Sequence, residues 1–388
     1  MRLPSWLRLP QQTLLRHALF AVAGGILFYN LSINTSDFQQ IRFAQVAYTL
    51  IAVAGLTVLV GLNGQLSLGH GALMAFGGYT VALLQKDRPT WPLWLDLLLA
   101  VLVTAVVGAV TGTAAARLRG PYLAGATLAL AVGVPGLARQ YFEGDTGISV
   151  PLVGSPSFLP SLVGERWMAW FSWAAALLTL VLLANLARSR LGREWQAARD
   201  DEIAAALAGI WVARVQVIAF VVSAGAAGLA GGLLAVVSVG AKPASFSLLL
   251  SVGLLAAAII GGLGSLIGAL WGSIIIVYLP VWADDLSRNF ELPAKVSDNL
   301  PLMMYGAALI IVMLLAPIGI QGTLYRVVRL FRRDRVRISA AEAVTGSAPE
   351  PAPPTGSGPP AAPAAPSTHA PAAVPATPSG ESAEGTAP

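Results

Sequence analysis

Cysteine is absent from all 388 residues, which excludes disulfide scaffolds and thiolate metal sites. Charge is scarce as well. Asp, Glu, Lys and Arg make up only 11% of the chain, against about 25% in a soluble domain. Residues 43–85 carry no charged side chain, and neither do residues 243–283. Each run is about twice the roughly 20 residues that cross a bilayer as a helix. No Gly-x-x-x-x-Gly-Lys-Ser/Thr loop occurs, so the chain has no such cradle for nucleotide phosphates. The three histidines, His17, His70 and His369, are scattered and suggest no metal cluster. Acid–base pairs at membrane depth, expected of a proton relay or an ion-coupled carrier, are missing too. Asp96 stands near the start of an apolar run, at its outer edge.

What is present is apolar surface. Hydrophobic residues account for 56% of the chain, with a mean hydropathy of +0.70. In hydrocarbon a spanning segment must satisfy its own backbone, and runs of this length do so as helices. The fold class is therefore all-α, a polytopic transmembrane helical bundle. About ten spans are expected, at 14–33, 41–61, 68–85, 93–115, 122–138, 167–187, 214–236, 248–262, 266–282 and 301–317. The second and third run together around Asn63-Gly64-Gln65, the eighth and ninth around Gly261-Gly262-Leu263-Gly264-Ser265. Each junction is either a tight turn or a broken helix.

Charge orients the bundle. With the N-terminus inside, the inner segments hold sixteen of the 24 Lys and Arg residues. Those segments are 1–16, 62–67, 116–121, 188–214, 263–265 and everything after 317. The bias follows the positive-inside rule and puts both termini and the 188–214 segment in the cytoplasm. It also explains the net charge of +5 without a nucleic-acid partner. Arg2, Arg8 and Arg16 precede an apolar stretch without a small-x-small cleavage site, so an uncleaved first span is expected. Two outer segments, 139–166 and 283–300, could receive a substrate-delivering protein or serve as plain solvated connectors.

The domain plan has four parts: residues 1–13, a short cytoplasmic segment; 14–320, the transmembrane domain; 321–339, a basic juxtamembrane segment; and 340–388, an Ala/Pro-rich tail. The tail has almost no large apolar residues and cannot offset its ordering entropy, so disorder is expected there.

Two motifs stand out. The first is Gly61-Leu-Asn63-Gly64-Gln65-Leu-Ser67-Leu-Gly69-His70-Gly71, leading to Gly77-Gly78-Tyr79. Glycines allow close helix approach or a backbone break. At a break, Asn63, Gln65, Ser67, Gly69 and His70 would line a translocation pathway or its gate. For His70 alone, a hydrogen-bonded packing histidine is the favoured reading over a direct substrate contact. A looser echo, Gly262-x-x-Ser265 leading to Gly268-Ala269-Leu270, adds Gly264 and Ser265 to the pathway candidates; chance is a rival in so Gly-rich a chain. Repeated broken helices often frame a transport route.

The second motif is a charged island between spans, residues 192–209, with Arg199, Asp200, Asp201 and Glu202 followed by an Ala-rich body and Gly209. It is expected to be a compact helix with an acidic start that suits the helix dipole and a glycine end. Such a helix could dock into a soluble partner. An ordinary amphipathic surface helix is the alternative.

The stretch Gly64-Gln-Leu-Ser-Leu-Gly-His-Gly-Ala72 and the run Arg199-Asp-Asp-Glu-Ile-Ala-Ala-Ala-Leu-Ala-Gly-Ile210 resemble the permease subunit of ABC importers for branched-chain amino acids. So do Ala219-Phe-Val-Val-Ser-Ala-Gly-Ala-Ala-Gly-Leu-Ala-Gly231 and Gly261-Gly-Leu-Gly-Ser-Leu-Ile-Gly-Ala269. The resemblance covers roughly 40–320. It implies that residues 192–209 couple the chain to an ATP-hydrolysing subunit. It implies a second homologous permease, two ATP-binding cassette subunits and an extracytoplasmic solute-binding protein. It implies a multi-pass protein of a bacterial cytoplasmic membrane, with no cofactor on this chain and ATP–Mg on the partners. Permeases for urea or short amides look similar, so those solutes stay open. A self-sufficient secondary transporter and an integral membrane enzyme are weaker readings. The first leaves the island unused, and the second lacks clustered His, Asp and Glu.

Overall fold

The computed structural model describes residues 19–326 except 20–21, 27, 31, 33–34, 119–120, 143, 152–153, 155–163, 291–292, 294–295, 297–298 and 317–318. Contacts divide the chain into Met1–Arg332 and Arg333–Pro388. The second unit lies wholly outside the described residues, as do the expected segment 1–13, most of 321–339 and the tail 340–388.

Eleven helices are described here. They are α1 (Asp37–Leu56), α2 (His70–Asp87), α3 (Leu93–Ala115), α4 (Pro121–Tyr141), α5 (Glu165–Arg188), α6 (Arg190–Asp200), α7 (Glu202–Leu207), α8 (Val212–Val237), α9 (Leu248–Gly261), α10 (Leu266–Asn289) and α11 (Leu300–Leu315). A π turn, Thr57–Leu62, extends α1, and a 3₁₀ turn, Pro243–Phe246, precedes α9. The expected first span, 14–33, is represented by helical residues between 19 and 32, and residues 319–326 are helical.

Among the described residues, seven segments are long and apolar enough to cross a membrane: Asp37–Leu62, Leu93–Ala115, Tyr122–Tyr141, Glu165–Arg188, Val212–Val237, Pro243–Gly261 and Leu266–Asn289. This is fewer than the ten expected spans. The third, α2, is helical but carries His70, Gln85, Lys86 and Asp87, which dilute its hydropathy. The tenth, α11, has 16 residues, roughly 24 Å of helix, short of the about 30 Å of hydrocarbon. The expected outer segment 283–300 is also shorter than read, because α10 continues to Asn289 and pairs Arg288 with Asp284 at 2.7 Å.

The core sits on α1 and α8. Their most apolar stretches are 83% and 72% buried, against 22–50% for the other five spans. Small residues explain the depth. In α8, a side chain on Gly231 would overlap the Met74 carbonyl of α2, and one on Gly77 of α2 would overlap Gly228. Gly108 and Gly112 of α3 lie against Ala224 and Phe220 of α8. Such backbone approach replaces the hydrophobic driving force that is weak between helices in lipid.

The end of the bundle that carries α6 and α7 is here termed the island end. At the opposite end, β1 (Ile148–Ser149) pairs antiparallel with β2 (Gly240–Ala241), Ile148 facing Ala241. Gly147, at φ +68°, lets the chain pass against the Ala241 carbonyl. Beneath this pair Tyr79 stacks on Phe142 with ring centroids 4.9 Å apart.

Candidate coupling segment and re-entrant stretch

The island is two helices, not one. Asp201 takes an extended conformation, φ −159° and ψ 110°, and breaks the run after Asp200. Its carboxylate accepts from the N–H groups of Ile203 at 2.8 Å and Ala204 at 3.0 Å. These are orphan donors of a helix start. Asp201 therefore caps α7, and Glu202 lies in its first turn, as the dipole favours. Asp200 does not share that role. It ends α6, where the dipole disfavours an anion, and pairs with Arg199 at 2.9 Å. Glu202 accepts from Gln216 Nε2 of α8 at 2.8 Å.

The end of α7 is a Schellman turn. Ile210 N–H donates to the Ala205 carbonyl and Gly209 N–H to the Ala206 carbonyl, both at 3.0 Å. Gly209 sits at φ +85° with open space around it, so backbone conformation, not crowding, requires glycine there. The island is fixed to the bundle by Trp195, fully buried, whose Nε1 donates to the Val215 carbonyl at 2.9 Å. Ile203, Leu207 and Trp211 instead point outward, 75%, 86% and 73% exposed. A cleft of about 660 Å³ runs between α7 and the 64–66 backbone, lined by Gln65, Leu66, Glu202, Ala206 and Gln216 among others.

Residues 63–69 are a re-entrant stretch. From Leu62 at the island end the chain turns back. His70, which starts α2, hydrogen-bonds through Nε2 to the Ala52 carbonyl at 3.0 Å. Ala52 lies ten residues before Leu62, roughly 15 Å along the helix. The non-helical backbone therefore penetrates the bundle. Backbone groups freed at membrane depth must find partners in the protein. Leu68 N–H donates to Thr127 Oγ1 of α4 at 3.0 Å, and Gly71 N–H to Ser251 Oγ of α9 at 2.9 Å. Gly69 is required by close approach, since a side chain would strike the Thr127 carbonyl at 2.7 Å.

The polar residues of the first motif come together here. Asn63, Gln65, Ser67 and His70 are all buried, and Asn63 Nδ2 donates to Gln65 Oε1 at 2.8 Å. Ser67 Oγ reaches the Gly69 N–H at 3.4 Å. Asn63 Oδ1 and His70 Nδ1 are sealed from solvent with no hydrogen-bond partner in the chain. His70 is thus hydrogen-bonded through one ring nitrogen and unpartnered at the other. The second break lies beside the first. A Cβ on Gly61 would overlap the Gly264 backbone, and Ser265 Oγ caps α10 by accepting from Gly268 N–H at 3.1 Å. The two Gly/Ser breaks, about 200 residues apart in sequence, are neighbours in space.

A family profile described as "Branched-chain amino acid transport system / permease component" matches residues 41–313. The chain belongs to that family. This permease component is 33% identical to the high-affinity branched-chain amino acid transport system permease protein LivM of Salmonella typhimurium over 296 residues, 70% of this chain and 67% of that one. It is 28% identical to the permease protein LivH of Escherichia coli K12 over 295 residues, covering 71% and 91% of the two chains. The autoinducer 2 import system permease protein LsrC of Enterobacter sp. is 29% identical over 289 residues, 72% and 80% of the two chains. No solved structure matches the permease.

The sequence reading missed Thr127, Ser251, Trp195 and Gln216. Thr127 and Ser251 are single hydroxyls in apolar helices, a signal too common to single out. Asp96 stands at the start of its span, as expected. It is fully buried in the first turn of α3 and accepts from Gln85 Nε2 of α2. Ser251→Ala and Thr127→Val in this permease should each cost about 1–3 kcal/mol, because each strands a buried N–H. Thermal unfolding of the purified protein in detergent reads this as a lowered midpoint; an unchanged midpoint in both variants would show the re-entrant stretch to be otherwise supported.

Proposed function

We propose that the protein is the membrane-spanning permease subunit of an ATP-driven importer, with branched-chain amino acids as its solute. The family membership carries the permease role, and the likeness to LivM over 296 residues favours the solute. The match to an autoinducer 2 permease supports a second reading, the same machine with a different cargo. Urea and short amides belong to that second reading, although none of the relatives described above is named for them.

The partners in this reading are a second homologous permease, two ATP-binding cassette subunits and an extracytoplasmic solute-binding protein. ATP–Mg is bound by the cassette subunits, and this chain contributes no cofactor. The island end faces the cytoplasm of a bacterial cell, in keeping with the Lys and Arg bias, and α6–α7 dock on an ATPase subunit. Asp201 and Gly209 hold the shape of α7, Arg199, Asp200 and Glu202 tie it to its surroundings, and Ile203, Leu207 and Trp211 supply the apolar contact. Including α2, α11 and the helical residues between 19 and 32, the bundle comprises about ten transmembrane elements.

The pathway runs beside residues 63–70 and 264–265. A zwitterionic amino acid needs backbone dipoles and hydroxyls more than fixed charges. A break with sealed, unpartnered acceptors at Asn63 Oδ1 and His70 Nδ1 adds uncharged acceptors for the ammonium group once it opens. Uptake of labelled leucine, in cells with and without this gene and with the partner genes intact, tests the solute. Loss of leucine uptake alone is the expected result. Loss of urea uptake alone would keep the machine and change its cargo.

A further inference from the structure

One side chain of the island turns inward. Arg199 is the penultimate residue of α6, yet its Nη1 donates to the Gly61 carbonyl at 2.6 Å, 138 residues away. Its Nε and Nη2 donate to Asp200 Oδ1 at 3.0 and 2.9 Å, so the guanidinium is held from both sides. Its aliphatic stem crosses Gly64, where a Cβ would meet Arg199 Cγ at 2.6 Å and Cβ at 3.3 Å. Gly64 has φ +77°, so glycine is demanded there twice, by conformation and by contact.

The bond fills a specific vacancy. Asn63, Gly64 and Gln65 donate their N–H groups back to Val58, Val60 and Leu59. The Gly61 carbonyl is left among the last acceptors of the α1 π turn, which have no partner within a helix. A guanidinium supplies the donor and complements the negative end of the dipole. Gly61 also packs on the Gly264 backbone. Arg199 therefore joins the island to both breaks.

We infer that Arg199 is a positioning residue that transmits displacement of the island to the re-entrant stretch 63–69, its contact with the end of α1 persisting through the transport cycle. The inference rests on the coupling role proposed above for the island. The receiving element is suited to it. A π turn carries an extra residue in the helical ladder, a geometry that recurs at functional sites. Its first residue, Thr57, has a buried hydroxyl with no partner. Arg199 thus adds to the end of α1 a bond that the backbone's own closure onto Val58, Leu59 and Val60 leaves unmade. Lysine is a weaker substitute, because an ammonium lacks the planar fork that serves Gly61 and Asp200 together.

The test uses the complete complex in proteoliposomes, reading labelled leucine uptake per ATP hydrolysed. The wild-type complex should take up leucine only with ATP. Absence of ATP-driven uptake would overturn the importer reading and this inference with it. Given wild-type coupling, Arg199→Ala should lower uptake per ATP about tenfold, and Arg199→Lys should recover part of it. A cysteine pair gives a second readout, since this chain has no other cysteine, with Gly64→Cys alone as the control for strain at φ +77°. Gly64→Cys with Arg199→Cys places two Cβ atoms close to the about 3.5–4.5 Å of a disulfide. Reduced, the pair should behave like Arg199→Ala; oxidised, the covalent tether should restore coupling. Wild-type coupling in Arg199→Ala would overturn the inference, as would a cross-linked pair that stays uncoupled.

Discussion

Gly231→Val is expected to prevent stable packing of the bundle. Gly231 faces the Met74 backbone so closely that even a Cβ overlaps its carbonyl, and backbone cannot turn away as a side chain can. Separating α8 from α2 also disturbs Gly77 and Gly228, which meet across the same seam. The cost should reach about 3 kcal/mol, the upper end of ordinary overpacking, and the loss of tight contact has no hydrophobic substitute in lipid. The purified isolated chain should aggregate or lose its unfolding transition in mild detergent. Gly133→Ala is the control, because nothing lies within 4 Å of its added carbon; it should hold or gain stability, alanine being the better helix former. Equal behaviour of the two variants would show that the α2–α8 approach is not what organises the core.

Disrupting both ends of α7 should abolish solute uptake while leaving the chain in the membrane. Asp201→Ala removes the acceptor of two N–H bonds, about 1 kcal/mol. Gly209→Val forces a β-branched residue into a left-handed conformation, about 1–2 kcal/mol more. A helix of six residues has no intrinsic stability to absorb such losses. Nothing in the membrane-spanning core touches the space around Gly209, so insertion should be preserved. The double variant should show at least a tenfold drop in leucine uptake at normal membrane abundance. Full uptake would mean that α7 is a passive surface helix. Of the three island acids, Asp201 should matter most, since Asp200 acts only through Arg199, and their ion pair, 41% and 66% exposed, is worth little by itself.

Much of the bundle could be read from the sequence, because hydrophobic length is a local property. The limits expected for the fourth span, 93–115, coincide with those of α3. Those of the seventh and eighth fall within two residues of α8 and α9. The Gly209 turn was also legible, since glycine after an Ala-rich run is a local helix stop. The island was misread as one helix for a related reason. Most residues from Arg199 to Ala208 are good helix formers, two adjacent aspartates could each cap a helix, and only the capping bonds of the Asp201 carboxylate reveal where the break falls.

The re-entrant stretch shows where local reading ends. Its glycines and polar residues signalled a break, but a tight turn and a deep excursion have the same composition. The excursion is stable because Thr127 receives the Leu68 N–H and Ser251 the Gly71 N–H at the start of α2, and because α4 leaves room only for a glycine at 69. The same holds for the two Gly/Ser breaks, whose contact at Gly61 and Gly264 no spacing rule predicts.

The sequence by itself determined that this is a helical membrane protein, the limits of several spans, its family and the glycines of its turns. Each of these depends on residues near one another along the chain. Tertiary structure decided which helices form the core, how deep the 63–69 backbone goes, and that Arg199 belongs to the end of α1 as much as to the island. Those outcomes depend on donors meeting acceptors, and backbone meeting backbone, across 138 residues for Arg199 and Gly61 and 180 for Gly71 and Ser251. Only the closed bundle brings such pairs within hydrogen-bond reach.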